Sequence, residues 1–92
     1  MIKSFRDADT EALFLGRRVR RWISIERAAL RKLEQLDLAI RIDDMRAPPG
    51  NRLEKLRGNR ESQWSVRIND QWRVCFRFDR GSALDVEIVD YH

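Results

Sequence analysis

The C-terminal tripeptide Asp90-Tyr91-His92 sets the chain's one imidazole and one phenol beside a carboxylate. An imidazole, with an ordinary pKa of about 6.5, exchanges protons at neutral pH, whereas a phenol at about 10 is mainly a donor. Such a set can act as a general acid–base pair, for instance on a ribose 2′-OH that attacks its own phosphodiester. The plain alternative is a frayed chain end. A second cluster is Leu53-Glu54-Lys55-Leu56-Arg57-Gly58-Asn59-Arg60. Here Glu54 is a candidate base, and Arg57 and Arg60 are candidate phosphate holders; the alternative is a charged hairpin on a basic surface. Third is Arg73, between Trp72 and Val74. A cation fixed on a rigid strand can stabilise charge developing on a transferring phosphoryl group. Its alternative is a cross-strand pair with Asp85 or Glu87, worth about 0.2–1 kcal/mol.

Composition limits what these groups can be doing. Ninety-two residues make a single domain, spanning 1–92. One cysteine, Cys75, cannot form an internal disulfide, and one His with one Cys cannot make a zinc site alone. No apolar run approaches a membrane span, and the N-terminus lacks the apolar stretch of a signal peptide. A cytoplasmic location is the simplest expectation. Gly-rich phosphate loops and nucleophile elbows are absent. The net charge is +4, and 16 of the 19 cations are Arg. Guanidinium forks grip phosphate oxygens in pairs and stack on bases, so the balance points to a polyanionic partner. A GC-rich genome would give the same bias without a partner.

Periodicity assigns the elements that must hold these groups. Residues 1–5 read as a short strand, and Asp9-Thr10-Glu11 as a helix start that stops at Gly16. Arg17, Arg18, Arg20 and Arg21 read as a solvated connector, with a phosphate or rRNA contact as the alternative. Ser24 opens a longer helix with one apolar stripe, Ile25, Ala29, Leu33, Leu36 and Ile40. Ile42 and Met45 fall in a short turn, and Pro48-Pro49 end helical structure. After Pro49 the period becomes two. Short strands around Leu53–Leu56, Trp64–Ile68, Trp72–Phe78 and Leu84–Ile88 are joined by tight turns, an antiparallel meander. Alternation puts Trp64, Val66, Ile68, Trp72, Val74, Phe76, Phe78, Leu84, Val86 and Ile88 on one apolar face. Ser65, Arg67, Arg73, Cys75, Arg77, Asp85 and Glu87 fall on an open, charged one. The expected fold is α+β, with two N-terminal helices packed on one face of a twisted antiparallel sheet. Trp64 and Trp72 read as core; Trp22 is ambiguous.

The run Asn51–Arg60, then Trp64-Ser65-Val66-Arg67-Ile68-Asn69-Asp70-Gln71-Trp72-Arg73, then the terminal Asp90-Tyr91-His92, resembles HigB-type toxins of the RelE/ParE superfamily, closest to their GraT-like subgroup. The opening Met-Ile-Lys-Ser-Phe is similar too, so the likeness covers the whole chain. It implies a microbial-RNase-like fold and ribosome-dependent cleavage of mRNA in the A site, with no metal or organic cofactor. The implied partner is a helix-turn-helix antitoxin of the HigA type, through which alone operator DNA would be met; no membrane is involved. The family's catalytic roles map onto Arg57 (Lys in some relatives), Arg73, Asp90, Tyr91 and His92. Some relatives carry His where this chain has Glu54, and Glu cannot donate as an imidazolium does, so the resemblance leaves the base open between Glu54 and His92. Lys55, Arg60, Arg67 and Arg77 are the expected RNA- or ribosome-binding cations. Two other outcomes are a gyrase-inhibiting toxin of the ParE branch, which shares the fold but cuts no RNA, and a non-catalytic RNA- or ribosome-binding module.

Overall fold

The computed structural model describes residues 1–60 and 62–90. It contains α1 (Ala8–Phe14) and α2 (Glu26–Leu38), followed by strands β1 (Glu54–Lys55), β2 (Trp64–Arg67), β3 (Trp72–Asp79) and β4 (Ser82–Asp90). The sheet order is β1-β2-β3-β4, with every pair antiparallel, as the alternation requires. Both helices pack on the sheet, and the core between them holds Leu13, Trp22, Leu33, Leu36, Met45, Val66, Val74, Phe76 and Val86, all essentially without exposure.

Local chemistry sets the boundaries. Asp7, rather than Asp9, caps α1: its carboxylate accepts from the Thr10 backbone N–H at 3.2 Å and from the Thr10 hydroxyl at 2.6 Å. Glycine at position 16 takes φ +87°, and the Gly16 and Arg17 N–H groups return to the carbonyls of Leu13 and Ala12, closing the helix. A 3₁₀ turn over Arg20–Ile25 absorbs Ser24, so α2 begins two residues later than the hydroxyl suggests. The helix ends at Leu38 and Ala39 is extended. The four-residue spacing therefore no longer carries Ile40 onto the stripe: Ile40 is 76% exposed and the buried Ala39 fills in. Beyond it, the N–H groups of Arg41 and Ile40 donate to the Asp44 carboxylate at 2.9 and 2.8 Å, holding its pKa below the usual carboxylate range.

The sheet departs from simple alternation at one place. Asp85, at φ +53°, and Val86 lie opposite the single residue Phe76, because Cys75 pairs with Glu87 and Arg77 with Leu84. This bulge shifts parity by one. Ala83 therefore points into the core at 0% exposure, and Leu84 moves to the other face opposite Arg77, contrary to the sequence expectation. The same bulge explains why residues 1–5 form two isolated parallel bridges, Ile2 to Ala83 and Phe5 to Val86, instead of a continuous strand. The Asp85 N–H turns to the Ser4 hydroxyl at 2.8 Å, and the N-terminal segment covers the β4 edge. The second face is also less open than expected: Ser65, Cys75 and Arg73 are buried at its centre. Trp22 is wholly buried, edge-on to Trp72 at 6.1 Å, while Trp64 and Trp72 are half-buried rims of the core.

Truncating Leu33 to Ala removes fully packed methyl groups and should cost about 2–5 kcal/mol, whereas Ile40→Ala should stay within about 0.5 kcal/mol; urea midpoints at unchanged m report both. The lowered Asp44 pKa lends stability that is present above the ordinary carboxylate range and lost as pH falls through the lowered value. Asp44→Asn should flatten that part of the acid limb in melts run across about pH 2–5.

Candidate active site

Arg73 lies on β3, paired with β2 on one side and β4 on the other, with its side chain on the face away from Val74 and the helices. Its Nε donates to Ser65 Oγ at 2.9 Å, and its Nη2 donates to the Arg52 carbonyl at 2.6 Å, with the Ser65 carbonyl at 3.4 Å. Its Nη1 lies 3.7 Å from Glu54 Oε1. Arg73 is 7% exposed, and the Glu54 side chain is 51% exposed. Ser65 is the register partner of Glu54 across β1–β2, so the sheet itself sets the carboxylate beside the guanidinium. The carboxylates named as the alternative partners of Arg73 have other ion pairs: Asp85 meets Arg77 at 3.1 Å and Glu87 meets Arg6 at 3.6 Å.

The Arg52 carbonyl is presented by the segment leading into β1. Arg52 sits at φ +45°, directly after the fully buried Asn51. The Asn51 amide donates to the carbonyls of Met45 (3.0 Å) and Ala47 (3.2 Å) and to Gln35 Oε1 (3.1 Å), while its own oxygen accepts from Lys32. Burial, and then the neighbouring Arg31, hold the Lys32 pKa below the ordinary lysine value. Past β1, Gly58 at φ +68° turns the chain, and Lys55, Leu56, Arg57 and Gly58 line an open cleft of about 570 Å³. Arg57 is exposed with no hydrogen-bond or ion-pair partner among the described residues. The Lys55 ammonium stands 5.6 Å from the centre of the Trp64 ring.

The expected residues thus separate. Glu54 and Arg73 meet, and Lys55 and Arg57 line the cleft that follows Glu54 on the same strand and turn. Arg67 pairs across the ladder with Arg73, but its guanidinium is tied to Asp70. Arg77, four residues along β3 and so about 13 Å away, is held by Asp85 and does not join the group. Asp90 ends β4 opposite Trp72 and accepts from Gln71 Nε2 at 3.1 Å; its neighbour Val89 is the register partner of Arg73. Tyr91 and His92 lie outside the described residues, as does the side chain of Arg60. Sequence reasoning missed Asn51 and gave Ser65 no role, although alternation had put Ser65 on the Arg73 face. Among the described residues, no three or more His, Cys, Asp or Glu gather where they could hold a metal, and no helix is long and apolar enough to cross a membrane.

The fold is that of RelE-like toxins. Two solved structures of the YoeB–YefM toxin–antitoxin complex from Staphylococcus aureus contain a chain that superposes with TM-scores of 0.58 and 0.57 at 14% identity, covering 100% of this chain and 98% of that one. The family model for the RelE-like toxin of the type II toxin–antitoxin system HigB matches residues 3–92, and the chain belongs to that family. It is 42% identical to Toxin HigB-1 of Vibrio cholerae serotype O1, over 92% of each chain. It is also 33% identical to Endoribonuclease HigB of Proteus vulgaris, over 66% of this chain and 65% of that one.

Removing the Ser65 hydroxyl leaves a buried, charged Nε–H without its acceptor. Ser65→Ala should therefore lower the unfolding free energy by about 1–3 kcal/mol, as read by chemical denaturation.

Proposed function

We propose that this HigB toxin is a ribosome-dependent endoribonuclease that cuts translated mRNA in the A site by attack of a ribose 2′-OH on the adjacent phosphodiester. The observation that carries this reading is the buried Arg73 guanidinium, oriented by neutral oxygens and facing Glu54. A preorganised cation of this kind stabilises charge that develops on a phosphoryl group, with no reorganisation at the moment of reaction. The Proteus relative's name as an endoribonuclease supports the same chemistry.

In the proposed mechanism, His92 or Glu54 takes the 2′-OH proton. The 2′-oxygen then bonds to phosphorus, and Arg73 and Arg57 stabilise the pentavalent phosphorane. The bond from phosphorus to the 5′-oxygen breaks and that oxygen takes a proton from water, giving a 2′,3′-cyclic phosphate and a 5′-OH. Tyr91 orients the base or the phosphate, and Asp90 positions Tyr91 or His92. The guanidinium groups supply the positive charge, so the reaction is proposed to run without a metal. Lys55, Arg60, Arg67 and Arg77 are proposed to meet RNA or ribosome, the last from outside the Glu54–Arg73 group. The proposed partner is a helix-turn-helix antitoxin of the HigA type, in keeping with the toxin–antitoxin complexes that share this fold; operator DNA would be met through it alone. The site of action is the cytoplasm, where translated message is found.

Primer extension on a translated message should show cleavage when ribosomes are present and none without them. Arg73→Ala and deletion of His92 should each reduce the rate by about 10²–10⁴. Full cleavage by the His92-deleted protein would remove His92 from the scheme. Intact message together with inhibited DNA supercoiling would give the chain to the gyrase-inhibiting branch instead.

A further inference from the structure

The arginine cluster that sequence reasoning set aside as a connector is built into a cleft. Arg17, Arg18, Arg20 and Arg21 line a concavity of about 630 Å³ between the end of α1 and the 3₁₀ turn Arg20–Ile25. Two of the four guanidinium groups are anchored: Arg21 to Asp9, with its guanidinium 4.3 Å from the Trp22 ring centre, and Arg18 to Glu26 at 3.3 Å. The Arg17 and Arg20 residues are exposed, and their guanidinium groups have no hydrogen-bond or ion-pair partner among the described residues. The apolar lining is Ala12 and Val19 alone, with none of the aromatic or large aliphatic anchors on which protein interfaces depend.

Its place in the fold ties it to the site described above. Trp22, beneath Arg21, packs edge-on against Trp72, and Trp72 precedes Arg73 and pairs with Asp90. The cleft and the Arg73 group therefore stand at the same end of the β3–β4 hairpin, one on the helix layer and one on the opposite face. The turn at Arg80-Gly81 closes the other end.

We propose that this cleft is a second phosphate site, in which Arg17 and Arg20 grip phosphodiesters of single-stranded RNA flanking the scissile linkage. Guanidinium forks bind phosphate oxygens in pairs, and Arg18 and Arg21, fixed by their carboxylates, shape the walls. The choice of RNA as occupant rests on the ribonuclease reading; the anion site itself does not require cleavage.

The test is binding of a short, fluorescein-labelled 2′-O-methyl oligoribonucleotide, which has no 2′-OH and cannot be cut by that route, followed by anisotropy across a salt series. The reading of cleavage and the reading of this cleft thus fail separately. Arg17→Glu with Arg20→Glu should weaken binding at least tenfold and lower the log–log salt slope by about 1.4, at about 0.7 per phosphate contacted. The milder Arg17→Gln with Arg20→Gln should lower the slope by the same amount and covers the case in which charge reversal disturbs folding. Lys3→Glu with Arg80→Glu makes the same charge change at the other end of the hairpin and should leave the slope unchanged. Equal effects of the two charge-reversal pairs would overturn the proposal. So would an unchanged RNA slope in the Arg17/Arg20 variants together with lost binding of poly-L-glutamate, which would assign the cleft to an acidic protein segment.

Discussion

A guanidinium group cannot lose its charge, so a buried arginine must be met by oxygens or the fold is penalised by several kcal/mol. Arg73 is met by the Ser65 hydroxyl, the Ser65 carbonyl and the Arg52 carbonyl, with Glu54 at 3.7 Å. The neutral oxygens fix the orientation of the guanidinium, and the half-exposed Glu54 is the counter-charge beside it. That constraint propagates. The Arg52 carbonyl reaches Arg73 with Arg52 in the left-handed region, just after Asn51. Asn51 in turn is fixed by Lys32 and Gln35 of α2 and by the carbonyls of Met45 and Ala47. A helix on one face of the sheet thereby sets the position of a cation on the other, through one buried amide.

How much of this was legible follows from the range of the forces involved. Strand alternation is local, and it placed Arg73, Ser65 and Cys75 on one face correctly. It failed from Asp85 back to Leu84, because a bulge needs only one residue able to take a positive φ, and Asp does so without a distinctive pattern around it. The stripe of α2 was legible through Leu36 and failed at Ile40, where the helix had already ended. Asn51 was beyond reach. A polar residue after Pro-Pro-Gly reads as a loop, and its burial exists only once the 3₁₀ turn Pro49–Asn51 that contains it is packed against α2 and the 3₁₀ turn Ile42–Arg46.

The site shows the same division. Residue type and parity nominated Glu54, Arg73, Arg67 and Arg77 alike, because alternation gives a face but not a place along the strand. The structure separates them by partner: Asp70 answers Arg67 and Asp85 answers Arg77, while Arg73 is held by Ser65 and a backbone carbonyl with Glu54 at 3.7 Å. A close carboxylate partly cancels a cation's field, and of these three pairs Arg73–Glu54 is the most widely separated.

The two ends of the hairpin are built differently, and the difference has a physical basis. At the Arg80-Gly81 end, a Cβ on Gly81 would come within 3.2 Å of the Ile40 carbonyl, and the first residues of the chain hydrogen-bond to Ala83. Backbone is packed on backbone there, which fixes shape and leaves little room for a ligand. At the Trp72–Asp90 end the contacts are aromatic edge on aromatic face, with cations above and beside them. Such contacts tolerate small shifts and leave polar groups near solvent. Backbone packing is concentrated where the strands turn, while Arg67 and Arg73 face each other across the ladder at the end where they open.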